Sequence, residues 1–206
     1  MSKKASTLPN MLLALVAIAV VAAGALAAVY AVTKGPIEEQ QKKTVEEAIV
    51  NVLPGFDNQK GKIDTATVIA RDGDKQKVTV NLATNADGTI FGAAVETYTD
   101  KAFDGKFTIM VGFDAEGNVI GTSVIKASET PGLGDKIKSD EFAGQFKDKD
   151  NKINPKNSDF DIKVKKDGGE VDAITAATIS SRAFCDAVNR AAEGYDKVLK
   201  QKGVTK

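Results

Sequence analysis

Between Met11 and Val32 the chain has no ionisable side chain other than Tyr30. This run of about 22 residues exceeds the ~20 that a helix needs to cross the hydrocarbon core of a bilayer, and it reads as a membrane span. Lys3 and Lys4 precede it, whereas Lys34 behind it is soon followed by Glu38 and Glu39. The positive-inside tendency then predicts a cytoplasmic N-terminus and an extracytoplasmic remainder. A cleaved secretory signal is the alternative, because Ala25-Leu26-Ala27 has the form of a cleavage site. Signal cores usually run only ~7 to 15 residues, so the longer run favours a retained single-pass anchor. Gly24 and the many alanines give a smooth helix face suited to packing on other membrane helices.

Composition limits the chemistry open to the rest of the chain. The sequence has no His and a single Cys, which excludes Ser-His and Cys-His nucleophile pairs and metal sites resting on imidazole. One thiol also excludes a Cys-x-x-Cys redox pair, an all-Cys iron-sulfur site and any internal disulfide. Redox work by this chain therefore needs a borrowed cofactor. With 28 Lys and Arg against 28 Asp and Glu, there is no cationic excess to displace counterions from phosphates, which argues against a nucleic-acid partner. Hydrophobic residues at 42% and this length suffice for one sizeable domain or two small ones.

After Lys34-Gly35-Pro36 the pattern is charged and helical, with Ile37, Val45, Ala48, Ile49 and Val52 at helical spacing, until Leu53-Pro54-Gly55-Phe56 stops it. From Lys62 the period approaches two: Ile63–Ile69, Val78–Leu82, Ile90–Val95, Phe107–Phe113 and Val119–Ile125 are short segments rich in Val, Ile, Thr and Phe. Turn residues separate them, so antiparallel strands are expected. Ser139–Asp167, polar with isolated aromatics, reads as surface loop with short elements. A last amphipathic helix is expected from about Ile179 to Lys200, with Ala183, Phe184, Ala187, Val188, Ala191, Tyr195, Val198 and Leu199 on one face. The expected organisation is residues 1–10 as cytoplasmic N-terminus, 11–32 as transmembrane helix, 33–56 as connecting helix and 57–206 as one extracytoplasmic α+β domain, its antiparallel strands flanked by helices.

Two segments read as more than scaffold. In Glu129-Thr130-Pro131-Gly132-Leu133-Gly134-Asp135, glycines flank a lone leucine, so main chain can approach a flat ligand while Leu133 covers it. On these residues alone an ordinary loop is the commoner reading. In Asp172-Ala173-Ile174-Thr175-Ala176-Ala177-Thr178-Ile179-Ser180-Ser181, small residues and hydroxyls open a helix and leave amides where an anion can sit. The ordinary alternative is an N-cap supplied by Thr175 or Thr178.

Together and in this order, the two segments resemble the hallmarks of the covalent FMN-binding domain family, whose flavinylation motif is Asp-x-x-Ser/Thr-Gly-Ala-Thr/Ser-x-Ser/Thr. The likeness extends to the layout of a span, a helix ending in Leu-Pro-Gly, strands, the Glu-Thr-Pro-Gly-Leu-Gly loop and the motif near the C-terminus. The resemblance implies that Thr178 accepts FMN through a phosphoester installed by a separate flavin transferase with FAD as donor. It also implies that Asp172, Thr175, Ala176, Ala177 and Ser180 surround the link, and that Glu129, Thr130, Gly132, Leu133 and Gly134 form the cofactor loop. Gly105 of the Asp104-Gly105-Lys106 turn approaches the flavin region in the family's pattern. Where the family usually has Gly, this chain has Ala176.

The resemblance further implies an electron-transfer subunit in the inner (cytoplasmic) membrane, working with the other membrane and soluble subunits of an Rnf-type ion-translocating ferredoxin:NAD oxidoreductase complex. Such a subunit would not turn over the complex's substrates alone. The chain has no Gly-x-Gly-x-x-Gly fingerprint and no cluster ligands. Thr178 has no base beside it to make it a nucleophile, so it suits the role of substrate for another enzyme. The alternative function is an anchored adaptor domain with Thr178 unmodified. Arg182 either faces the phosphate or sits on a solvated helix face, and Cys185 is expected to be a small buried helix residue.

Overall fold

The computed structural model describes residues 7–56, 61–147 and 161–203. Lys3 and Lys4, on which the expected orientation rests, lie outside them. The chain divides into two compact units, Met1–Thr44 and Val45–Lys206.

The first unit is the greater part of helix α1 (Leu8–Val52), whose apolar side chains from Leu8 to Val32 are exposed on all sides. It is long and apolar enough to cross a membrane. The helix passes through Pro36 without interruption, so the sequence boundary between span and connecting helix is not an element boundary. A proline forfeits one helix hydrogen bond and crowds one carbonyl, and the uninterrupted helical pattern on both sides outweighs that loss.

The second unit is built on a five-stranded antiparallel meander in the order β1-β2-β3-β4-β5. Its strands are β1 (Lys62–Val68), β2 (Val78–Thr84), β3 (Ile90–Ala102), β4 (Gly105–Asp114) and β5 (Val119–Lys126). Alternation along each strand sends Val78, Val80, Leu82, Ala93, Val95, Ile109, Val111 and Phe113 to one face, where they form the main core with the last helix. The opposite face carries Ala83, Ala94 and Met110 beneath Ala48, Val52 and Leu53 at the end of α1. A side chain at Gly112 would put its Cβ 2.0 Å from the Val52 carbonyl oxygen, so that glycine is what lets helix backbone lie directly on the sheet.

Strand β3 runs seven residues beyond the expected Ile90–Val95, through Glu96–Ala102. Its outer half is polar, but Thr97 and Thr99 still face helix α3 (Thr178–Gln201) and donate to the Ala187 carbonyl and to Asp186 Oδ2. Polar side chains with partners on a neighbouring helix hide a strand from hydrophobic periodicity.

The short elements expected within Ser139–Asp167 are present in its first part, but that part is not the surface loop expected, because its aromatics are buried. Residues 134–146 form two 3-10 turns around a short helix α2 (Asp140–Ala143), capped by Ser139, whose hydroxyl accepts from the Phe142 amide. Ile137, Phe142 and Phe146 are buried, and both phenylalanines pack on Phe184 of α3 with ring centroids 5.3 and 4.7 Å apart. Aromatics four apart share one side of a helical turn, which is why two rings isolated in a polar sequence make a continuous anchor. Residues 148–160 lie outside the described set.

Helix α3 buries all eight residues of its expected apolar face. A charged cluster fixes its outer side to the sheet. Asp186 accepts from Arg71 at 2.7 Å and Lys101 at 2.8 Å, while the buried Arg190 reaches Asp74 at 3.2 Å, donates to the Tyr98 carbonyl at 2.7 Å and lies over the Tyr98 ring.

Candidate functional site

The β3–β4 hairpin, the loop after β5 and the start of α3 converge on one cavity of ≈ 300 Å³. Both segments singled out in the sequence line it. Glu129, Thr130, Leu133 and Gly134 come from the loop, and Ala176, Ala177, Thr178, Ile179 and Ser180 from the helix start.

The loop turns through Gly132 at φ 76°, and the Thr130 carbonyl accepts from the amides of Leu133 and Asp135 at 3.2 and 3.3 Å. This holds Leu133 at the rim, 41% exposed. Behind it, Gly134 leaves room for a buried contact: the Ser180 hydroxyl donates to Glu129 Oε2 at 2.7 Å. A Cβ on Gly134 would lie 2.2 Å from that carboxylate oxygen and 2.8 Å from Ser180 Oγ. The glycine is therefore needed for close approach, since only contacts well under van der Waals separation are at stake.

At the helix start the Ala177 amide donates to the Ile174 carbonyl at 3.0 Å, closing a turn in which Ala176 has φ 62°. Turns with a positive φ at their third residue favour glycine there, which gives a physical reason for the Gly of the motif that this segment resembles. Ser181 ties the turn down, its hydroxyl accepting from the Ile174 amide and donating to the Ala177 carbonyl, each at 3.0 Å. The ordinary alternative of a Thr175 or Thr178 cap is not realised. The N-cap is Ala177, and no side chain caps the helix. The first amides of α3, on residues that line the cavity, are consequently left without a side-chain cap, at the positive end of the helix dipole. Thr178 is the first helical residue, half-buried, and among the described residues its hydroxyl has no hydrogen-bond partner.

Other expected site residues stand further off. Thr175 is exposed in the turn, and Asp172 pairs with Lys165 at 2.7 Å while its backbone is held by Gln145. Gly105 opens β4 at φ 93°, directly after the two-residue turn. The hairpin reaches the cavity through Phe103 instead, 68% exposed, and Ile179 adds a second apolar surface that the sequence reading overlooked. An aromatic placed in a two-residue hairpin turn, where polar residues are usual, was the available signal. Arg182 forms a paired contact with Asp167, at 2.6 Å for each bond, and lines a neighbouring cavity of ≈ 320 Å³. Cys185 is buried, which pushes its thiol up to about 12, so it is a packing residue and not a reactive thiol.

These features fit FMN. A free hydroxyl and uncapped helix amides suit a phosphoester, and Phe103, Leu133 and Ile179 suit a flat apolar ring. Residues 103–193, the stretch that contains the whole cavity, match the FMN-binding domain family. The fold and site thus define a flavin-binding α+β domain.

The fold is shared with a solved structure of the C subunit of Na(+)-translocating NADH-quinone reductase from Parabacteroides distasonis, at a TM-score of 0.57 and 21% identity, covering 78% of this chain and 94% of that one. The G subunit of the ion-translocating oxidoreductase complex of Aliivibrio fischeri is 32% identical over 200 residues, 92% of this chain and 91% of its own. Its counterpart from Methanosarcina acetivorans is 33% identical over 196 residues, 94% and 96%. The chain belongs to the family of G subunits of ion-translocating oxidoreductase complexes.

Proposed function

We propose that the protein is a membrane-anchored electron carrier with FMN esterified to Thr178, working within an ion-translocating ferredoxin:NAD oxidoreductase complex of the Rnf type. The observation that carries this reading is the single cavity at which the Glu129–Gly134 loop meets the unpartnered Thr178 hydroxyl on an uncapped helix start. The G-subunit relatives support the assignment to such a complex. Helix α1 is the anchor in the inner membrane, residues 1–10 are cytoplasmic, and the domain from about residue 57 is extracytoplasmic. The other membrane and soluble subunits of the complex are its partners.

FMN, when bound, supplies the one- and two-electron redox chemistry that the side chains lack. The chain's own residues hold and shield. Amides at the start of α3 offset the charge of a phosphate on Thr178 Oγ1. Phe103, Leu133 and Ile179 exclude water from an adjoining flat ring. Gly134 allows Glu129 and Ser180 to close the floor. Among the described residues no base hydrogen-bonds the Thr178 hydroxyl, so attachment requires a flavin transferase that joins Thr178 Oγ1 to the FMN phosphorus of FAD as the pyrophosphate bond breaks and AMP leaves.

The test is coexpression with such a transferase, followed by intact mass, in-gel fluorescence and a peptide map. Wild type should carry a flavin-mass adduct on the peptide containing Thr178, and Thr178→Val should carry none. Since Thr178 is not the cap, folding should change by well under the ~1 kcal/mol typical of a lost N-cap. An adduct surviving on Thr178→Val would transfer the assignment to Thr175 or Ser180. A wild-type protein with no adduct would favour the adaptor function instead.

A further inference from the structure

Glu129 is the one charged side chain among the described residues lining the FMN cavity. It is 8% exposed and accepts one hydrogen bond, from Ser180 to Oε2. Among the described residues no donor reaches its other oxygen, Oε1, and no Lys or Arg pairs with it. A buried carboxylate usually has a cation or several donors to offset its desolvation. Here one hydroxyl is the only donor among the described residues, Oε1 keeps its contact with solvent, and Gly134 has given up its side chain to admit the carboxylate.

We infer that Glu129 sets the reduction potential of the flavin, as a fixed negative charge in the cavity that opposes electron entry. The inference rests on the FMN reading above. Each electron passed from a one-electron donor, a reduced redox centre of a partner subunit or dithionite in the test, oxidises that donor and adds one negative charge to the ring. That charge remains until a proton from solvent follows it. A carboxylate lining the same cavity as the ring raises the free energy of that added charge by Coulomb repulsion, which is screened less in a protein cavity than in bulk water. The result is a flavin that is harder to reduce and a stronger donor once reduced. Ser180 moderates the effect by donating to the same carboxylate.

The experiment is a spectroscopic redox titration of the full-length flavinylated protein in detergent, with intact mass recorded for each sample. Glu129→Gln preserves the shape and the acceptor for Ser180 but removes the charge, and its midpoint should lie above wild type. Ser180→Ala removes the donor and leaves the charge less compensated, so its midpoint should lie below wild type. A merely structural disturbance would not shift two neighbouring substitutions in opposite directions. Loaded variants with the wild-type midpoint, or both displaced the same way, overturn the inference while leaving the FMN assignment intact. If Glu129→Gln does not load, Ser180→Ala decides alone: a fall supports the inference, and no change or a rise overturns it. Absence of the adduct from wild type removes the FMN reading and this inference with it.

Discussion

Ala176 shows how much a single backbone angle constrains the candidate site. Its φ of 62° places a side-chain-bearing residue in the left-handed region, at a cost of about 1–2 kcal/mol for a non-glycine residue. The Ile174–Ala177 hydrogen bond and the two bonds of Ser181 hold it there. Ala176→Gly should therefore stabilise the domain, although glycine's larger unfolded-state entropy returns about 0.5–1 kcal/mol of that gain. A net gain of up to ~1 kcal/mol corresponds to a Tm rise of about 2–4 °C at this domain size, measurable by thermal unfolding with circular dichroism. A lower Tm would mean that the strain at Ala176 is smaller than the entropy that glycine adds to the unfolded chain. The angle is what matters at Ala176, and close approach matters at Gly134, where one oxygen atom occupies the place of a Cβ. Neither distinction is written in residue identity, because both depend on what the fold brings opposite.

At the scale of elements, α3 is a helix with an apolar side the sequence displayed openly and a charged side it did not. Periodicity identifies the eight core residues, since burial repeats every 3.6 residues. It cannot identify the cluster of Arg71, Lys101, Asp186 and Arg190, whose members lie up to 119 residues apart along a chain folded back on itself. Ring-to-ring packing of Phe142 and Phe146 on Phe184 was hidden for the same reason, as a long-range contact between short-range patterns. In the cluster, burial raises the Asp186 carboxyl, but the hydrogen bonds from Lys101 and Arg71 and the charge of Arg190 outweigh it and hold it below the usual range. A carboxyl with a lowered folded-state value contributes stability that is present above its unfolded value of ~3.9 and lost as pH falls through the folded value. Chemical denaturation between neutral pH and pH 3 should show this acid loss in wild type, and a shallower one in Asp186→Asn. At neutral pH, Asp186→Ala should cost about 3 kcal/mol, at the lower end for breaking a buried pair, because Arg190 keeps Asp74. Equal acid slopes in wild type and Asp186→Asn would remove Asp186 from the clamp.

For the whole molecule, the consequential fact is that the sheet has two buried faces and that α1 supplies the cover for one of them. The meander and α3 were legible as separate elements, but nothing in the alternation of the strands says that Met110, Ala94 and Ala83 need a lid. The lid comes from Ala48, Val52 and Leu53, whose apolar spacing belongs to what the sequence reads as a connecting helix. Val52 backbone rests on Gly112 and Gly121, and Val52 and Leu53 are almost wholly buried. Full burial of a Val or Leu side chain contributes about 1.5–3 kcal/mol, so losing both removes a large part of a typical 5–15 kcal/mol domain stability. The compact unit itself begins at Val45. A protein truncated to begin at Lys34 therefore keeps the lid, and should be soluble, monodisperse and cooperatively unfolding. One beginning at Phe56 exposes Met110 and the alanines beside it, and should aggregate or unfold at a much lower temperature. Size-exclusion chromatography with thermal unfolding of the two truncated proteins tests this directly. Equal Tm values would show that the sheet stands without α1, and would make the end of that helix a tether only.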